Sequence, residues 1–121
     1  MRRILHILIL GLSLAIFAPA AQADERILNY HSDITINPDS SIDVTETIKV
    51  RAEGQEIKRG IYRDFPTMYH QDDGTTYVVG FDILGVTRDA KREPYHTENQ
   101  SNGIRMYIGD RNVYLNPGEY T

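Results

Sequence analysis

The sequence predicts an all-β domain made of β-sandwich-like antiparallel sheets, preceded by a signal-peptide helix. Apolar and polar residues alternate with a period of two over residues 28–37 and 42–52, as in strands with one solvated face. Turn sequences rich in Pro, Gly and Asn separate such runs. No long segment after residue 23 has the 3.6-residue period of a helix. These observations favour a sandwich of meander or Greek-key topology with about five or six strands.

Residues 1–23 have the three parts of a secretory signal peptide. Two arginines follow Met1, a mostly apolar run extends to Ala18, and Ala21 and Ala23 form a small-x-small cleavage site before Asp24. The apolar run is about 15 residues long, whereas a membrane-spanning helix needs roughly 20. The sequence therefore predicts cleavage and export, with an uncleaved signal anchor as the alternative. The domain boundaries that follow are 1–23 for the signal and 24–121 for the exported part.

The composition of residues 24–121 excludes several kinds of function. This part holds 11 basic and 17 acidic residues, a balance that argues against binding nucleic acid or anionic lipid through clustered cations. The chain has no Cys, which excludes disulfides, thiolate metal sites and thiol catalysis. Neither a metal-ligand pattern nor a nucleophile or phosphate-binding motif occurs, so we predict no catalytic residues, no metal and no cofactor.

The first two runs predict a hairpin with one anomalous residue. Residues 37–40 have the composition of a turn, and the apolar residues of the second strand occupy even positions from Ile42 to Ala52. Glu46 has this apolar parity, where an unpaired carboxylate would be costly. We expect a structural ion pair between Glu46 and Arg63, or between Glu46 and Arg59. A charged groove for a ligand and a bulge that exposes Glu46 are the alternatives.

The second half of the chain contains further strand patterns. Residues 77–88 are apolar on both parities and predict a central strand covered on both sides. Residues 89–103 are polar and charged and predict a long connection, after which residues 104–108 alternate again. Residues 119–121 begin another strand, so we expect the domain to be incomplete and the chain to be a fragment.

Several of these segments resemble the N-terminal extracytoplasmic domain of the DUF2207 family of predicted bacterial membrane proteins. The similarity rests on residues 34–48, on the Arg59–Pro66 segment, and on residues 107–110 and 118–121. The resemblance implies a signal peptide, a β-rich domain, transmembrane helices and a low-complexity tail in full-length members. The family has no established activity, so it supplies no catalytic residues.

The function predicted from the sequence is that of a non-enzymatic extracytoplasmic domain of an envelope protein, with an interaction or structural role. Its expected partners are other envelope proteins or the C-terminal membrane part of the same protein. The expected location is the periplasmic or cell-surface side of the membrane, with contact to the membrane only through the signal or through downstream helices. A periplasmic or secreted module that binds glycans or small ligands is the alternative.

Overall fold

A computed structural model of the chain describes residues 24–121 as a set of antiparallel strands, which confirms the all-β, sandwich-like prediction. The predicted signal peptide, including Ala21 and Ala23, lies outside the described residues. The strands are β1 (Arg26–Ile36), β2 (Ile42–Ala52), β3 (Ile61–Pro66), β4 (Met68–His70), β5 (Thr76–Val78), β6 (Thr87–Arg88), β7 (Lys91–Arg92), β8 (Tyr95–Gln100), β9 (Gly103–Ile108) and β10 (Gly118–Tyr120). Within residues 24–121, no helix is long and apolar enough to span a bilayer.

Two three-stranded sheets carry the fold, with strand orders β1-β2-β10 and β3-β9-β8. Two small hairpins, β4-β5 and β6-β7, accompany them. Because each of the two main sheets has a side turned toward the other, side chains of one parity in each strand meet between them. Residues 24–121 form ten strands rather than the expected five or six, because the two small hairpins add four strands of two or three residues each.

The predicted first hairpin forms from β1 and β2. Ile36 lies opposite Ile42, and Ile34 lies opposite Val44. The turn between the strands closes with a hydrogen bond from the Ser40 N–H to the Asn37 carbonyl, 3.0 Å long. A bulge interrupts the register between Ile27 and Asn29 and leaves residue 28 without a direct partner in β2. The alternation of the sequence thus places the apolar residues of both strands on one side of the hairpin.

The core lies where the base of this hairpin faces the second sheet. Val50 and Ala52 of β2 are 5% and 0% exposed, and Met106 of β9 is 8% exposed. Val50 and Ala52 have the even parity of β2, and Met106 lies opposite Arg63 of β3. The side chains of Val50, Ala52 and Met106 thus lie on the inward sides of the two sheets. The core therefore occupies only the part of the hairpin near its base.

The central-strand prediction for residues 77–88 is wrong. Only Thr76–Val78 and Thr87–Arg88 are strands, and each pairs in a two-stranded hairpin. Val78 and Leu84 are 73% and 86% exposed, so the segment is not covered on both sides. Glycines at 80 and 85 interrupt the run, because glycine weakens strands through its backbone entropy. The apolar residues of this segment are enough to give it the pattern of a strand. Within residues 24–121, however, no neighbouring strand pairs with residues 79–86.

The prediction of a long connection over residues 89–103 is also wrong. Residues 91–92 form β7, and residues 95–100 form β8, the edge of the second sheet beside β9. All but one of the β8 residues are exposed, which is typical of an edge strand whose side chains face water. The polar composition of residues 95–100 therefore does not predict a strand, although the segment forms one by pairing with β9.

A close backbone approach joins the start of β3 to the end of β9. Gly60 and Gly109 have φ values of +150° and +127°, and a Cβ on either residue would overlap a carbonyl oxygen of the facing segment. For Gly109 this oxygen belongs to Arg59, and for Gly60 it belongs to Ile108. Only glycine satisfies both the backbone conformation and the available space at these two positions.

Candidate functional site

Glu46 and Arg63 form a two-pronged ion pair between the sheets. The Arg63 Nε–H donates to Glu46 Oε2 over 2.7 Å, and Nη2 donates to Oε1 over 2.6 Å. The side chains are 18% and 31% exposed, respectively. Because Glu46 is on the inward parity of β2 and Arg63 on that of β3, the contact connects the two sheets directly. This fork geometry is the strongest form of Arg–carboxylate contact.

Aromatic rings complete the surroundings of this pair. The Tyr30 hydroxyl donates to Glu46 Oε1 over 2.6 Å. The Arg63 guanidinium carbon lies 5.6 Å from the centre of the Tyr30 ring and 5.4 Å from that of Phe65. Tyr30 comes from β1 and Phe65 from β3, so three strands contribute to the cluster. We call Tyr30, Glu46, Arg63 and Phe65 the inter-sheet cluster.

The contacts within the inter-sheet cluster keep its carboxylate ionised. Hydrogen bonds from the Arg63 guanidinium hold the pKa of Glu46 below its usual range, although partial desolvation opposes this. The hydrogen bond to Glu46 raises the pKa of Tyr30, and the carboxylate likewise raises the pKa of Arg63. The Glu46 carboxylate is therefore a stable anion that pairs with Arg63. None of these shifts brings the pKa of a group into the range of a catalytic acid or base at neutral pH.

The other sequence-predicted residues lie elsewhere. Arg59, the alternative partner of Glu46, donates from Nη2 to the Tyr114 hydroxyl over 2.6 Å, and its guanidinium lies 4.2 Å from the centre of that ring. The bulge in the hairpin is in β1 near residue 28, so it does not expose Glu46. Asp24 is exposed at the start of the described residues, two residues before the first strand.

A carboxylate next to the predicted cleavage site fastens the start of the domain. Glu25 accepts hydrogen bonds from the backbone N–H groups of residues 53, 55, 56 and 57, with distances between 2.5 and 3.3 Å. Desolvation alone would raise the pKa of Glu25, but these four donors outweigh it and lower the pKa to about 2. The loop between β2 and β3 is therefore ordered by a residue that the sequence analysis did not single out.

The outward side of the second sheet carries an aromatic row that the sequence analysis also missed. Tyr62, Tyr107 and His96 lie directly opposite one another on β3, β9 and β8. The His96 and Tyr107 rings are stacked, with centres 4.7 Å apart and planes 8° apart, and the Tyr62 ring is 6.1 Å from that of Tyr107. Beside this row, Arg105 lies 4.2 Å over the Tyr62 ring and forms a two-pronged pair with Asp64.

The parity of β3 and β9 could have indicated this row, because Tyr62 and Tyr107 sit on the polar side of each alternation. The contribution of His96 could not be foreseen, since β8 was not predicted as a strand. Among residues 24–121, no group of His, Asp and Glu side chains is arranged to hold a metal ion.

The fold and the inter-sheet cluster define a sandwich-like β-domain in which the second sheet covers only the base of a long hairpin. A family model, described as the N-terminal domain of a predicted membrane protein (DUF2207), matches residues 26–121. The chain belongs to this family, which confirms the resemblance noted in the sequence. The family description fits association with a membrane.

One relative among curated proteins is the uncharacterized protein YciQ of Escherichia coli (strain K12). It is 35% identical over 97 residues, which make up 80% of this chain and 15% of the relative. The chain thus spans less than a sixth of the length of this relative. No solved structure matches the chain.

Proposed function

We propose that residues 24–121 form a non-enzymatic domain on the extracytoplasmic side of a membrane-associated envelope protein, and that this domain works by binding other polypeptides of the envelope. The observation that supports the proposal is the uncovered apolar side of the β1–β2 hairpin beyond the inter-sheet cluster. Ile34 and Ile36 of β1 are 61% and 78% exposed, and Ile42 and Val44 of β2 are 59% and 47% exposed. These four residues, which form two directly opposed pairs, are called the hairpin patch below.

A contiguous apolar patch at the end of a hairpin is typical of a contact surface. The reverse side of the hairpin is polar at the same level, with Thr35 opposite Asp43 and Asp33 opposite Thr45. This asymmetry supports binding through one side of the hairpin. It also supports a partner that brings apolar side chains, because such a partner would remove the exposed isoleucines from water.

Site-specific photo-crosslinking tests this proposal. A photo-reactive amino acid is placed at Ile36 in the hairpin patch or, in the matched variant, at the neighbouring Thr35 on the polar side. We expect crosslinked protein in the membrane fraction from position 36 and none from position 35. Equal yields from both positions, or none from position 36, would contradict binding through the patch.

The extracytoplasmic location has its own test. Export followed by cleavage at Ala23 gives a mature product that begins with Asp24, which N-terminal sequencing identifies. A product that retains Met1 and stays membrane-bound would support the signal-anchor alternative. A product that never leaves the cytoplasm would contradict the proposed location.

Glycan binding is the second candidate, supported by the aromatic row. The Tyr62 ring of this row is 55% exposed, and an exposed aromatic ring can stack on the apolar face of a sugar ring, while Asp64 and Arg105 beside it can accept and donate hydrogen bonds. We expect Tyr62→Ala to abolish binding on a glycan array, whereas Tyr69→Ala, which removes an exposed tyrosine from the β4–β5 hairpin, should preserve it. An array without any bound glycan would eliminate this candidate.

A further inference from the structure

Strand β1 has a long outer edge without the features that usually protect one. It lies at the end of the order β1-β2-β10, so it has a neighbour on one side alone among residues 24–121. Natural sheets protect such edges with proline, lysine, bulges or short strands, as the second sheet does at β3, which ends at Pro66. The bulge of β1 lies near its start, and residues 29–36 form a regular edge with neither proline nor lysine.

Both sides of this edge are accessible. Tyr30 and Ile34, on the inward side of β1, are 47% and 61% exposed. On the outward side, the side chains of His31 and Asp33 are 65% and 72% exposed. The second sheet therefore does not cover β1, and another strand can reach its backbone.

The hydrogen bonds to β2 show which backbone groups face the open edge. The Asn37 N–H donates to the Ser41 carbonyl over 2.9 Å, and the register beyond this pair is unbroken as far as the bulge. Odd-numbered β1 residues therefore exchange hydrogen bonds with β2, and the backbone groups of even-numbered residues point the other way. Those of Tyr30, Ser32 and Ile34 face the outer edge, where no strand of residues 24–121 meets them.

We propose that β1 pairs in the antiparallel sense with β1 of a second copy of the chain, with Ser32 of each copy opposite the other on a two-fold axis. Two three-stranded sheets then form one sheet of six strands. The inference goes beyond the proposed function, because it gives a partner to an edge that binding through the hairpin patch does not use. It also leaves the β2 half of that patch, Ile42 and Val44, uncovered.

This register brings complementary side chains together on the inward side of the sheet. Tyr30 lies opposite Ile34 of the second copy, and the symmetry forms this pair twice. Aromatic and β-branched residues directly opposite each other stabilise antiparallel strands, and their contact removes apolar surface from water. Ser32 is small, so the two copies meet at the axis without steric conflict.

The outward side is complementary in hydrogen bonding. His31 lies opposite Asp33 of the second copy, again twice, in pairs of the kind that do not exchange backbone hydrogen bonds and bring side chains closest. Within one chain, His31 Nε2 is already 3.2 Å from Asp33 Oδ1. Each Asp33 carboxylate would then have an imidazole on either side, and its two oxygens can accept a hydrogen bond from both.

The neighbouring registers lose this complementarity. With the axis at Asp33, the two Asp33 carboxylates would lie directly opposite each other, and like charges in that position are destabilising. With the axis at His31, the two imidazoles would face each other, Tyr30 would face Ser32, and Ile34 would face the bulge at residue 28. Only the axis at Ser32 forms the apolar and the hydrogen-bonding pairs together.

Disulfide trapping in the full chain tests this register, because the chain has no cysteine of its own. The two single variants are Ser32→Cys and, as the matched control on the same side of β1, Ile34→Cys. In the proposed pairing the two Cα atoms of residue 32 are about 5.5 Å apart, which suits a disulfide. The two Cα atoms of residue 34 are about 13 Å apart along the strands, which is too far.

Under mild oxidation, we expect Ser32→Cys to form a covalent dimer with a yield about tenfold or more above that of Ile34→Cys. Equal yields from the two variants, or no covalent dimer from Ser32→Cys, would overturn the pairing. If the unchanged chain sediments as a dimer in that case, the two copies meet through another surface.

Amide hydrogen exchange in the unchanged chain, measured by NMR, does not depend on the folding of either variant. Exchange at Ser32 and Ile34 should slow by about tenfold or more when the chain is concentrated from monomer to dimer. The control amides are those of Val44 and Glu46, which point to the opposite edge of the hairpin and should not change. A chain that sediments as a monomer at high concentration would overturn the proposal, and protection of Ser32 in that monomer would indicate pairing within one chain.

Discussion

Replacing Glu46 by glutamine removes the charge of the inter-sheet pair while keeping the shape of the side chain. Only one of the two hydrogen bonds from Arg63 can then persist, because an amide has a single acceptor oxygen and its NH2 group would face the other Arg63 donor; the guanidinium also loses its counter-ion. A fully buried pair broken in this way costs about 3–5 kcal/mol, and an exposed pair costs about 0–1 kcal/mol. The side chains here are 18% and 31% exposed, so we expect an intermediate loss of about 2 kcal/mol after allowance for solvent screening.

The measurement is reversible unfolding by heat and by urea, followed by circular dichroism. For a domain of this size, about 2 kcal/mol corresponds to a fall in Tm of roughly 10 °C. Arg63→Met and the double variant complete a double-mutant cycle, in which the double variant should lose less stability than the two single losses combined. The matched control is Asp64→Asn, which breaks a pair of the same geometry on the outward side, where Asp64 is 50% exposed. Its midpoint should change less than that of Glu46→Gln.

Two outcomes would refute this reasoning. A loss below about 0.5 kcal/mol for Glu46→Gln would place the residue among ordinary exposed sites. Additive losses in the double-mutant cycle would show that Glu46 and Arg63 do not stabilise each other. In either case the inter-sheet cluster would not hold the two sheets together.

Three further predictions concern other parts of the domain. The pKa of Glu25 is about 2, below its ordinary value of 4.5, so its contribution to stability should be complete above about pH 4.5 and lost toward pH 2. Glu25→Gln should therefore flatten acid unfolding curves in that range. An unchanged curve would contradict the role of Glu25 in ordering the loop between β2 and β3. Gly109→Ala should lower the free energy of unfolding, measured in urea, by about 2 kcal/mol or more. Gly74→Ala, at φ +85° with open space around it, should lower it by only about 1 kcal/mol. Equal losses would contradict the overlap of a Cβ at residue 109 with the facing carbonyl. Ile36→Thr should change unfolding by less than about 0.5 kcal/mol yet reduce binding of a hydrophobic dye, and a large loss of stability would mean that the hairpin patch is already covered.

The alternation of residues predicted the first hairpin and one partner of its anomalous carboxylate. Glu46 is on the apolar parity of β2, which calls for a cation or several hydrogen-bond donors beside it, and Arg63 and Arg59 are the candidates that the sequence offers. Which of the two arginines pairs with Glu46 depends on where each one lies relative to β3 and its inward side. Arg63 is inside a strand and shares the inward parity with Met106, whereas Arg59 precedes the strand and reaches Tyr114. Sequence spacing alone does not contain that information.

The failures have a common physical cause, which is the dependence of strands on their neighbours. Residues 95–100 are polar and become β8 because β9 supplies the hydrogen bonds. Residues 79–86 have apolar side chains of both parities but no partner strand within residues 24–121. The state of a β segment is decided by pairing as much as by its own composition, so local patterns misassigned both.

The inter-sheet cluster marks the border between the covered and the uncovered part of the hairpin. On one side of it Val50 and Ala52 are buried, and on the other Val44 and Ile42 are about half exposed, although all four share one parity. A charged pair is tolerated at such a border because water still reaches it, and its screening keeps the desolvation cost low. Any polypeptide that covers the hairpin patch also removes water from Glu46 and Arg63. The pair would then be retained only because its fork geometry and the Tyr30 hydroxyl satisfy both carboxylate oxygens, which is the arrangement already present before anything is bound.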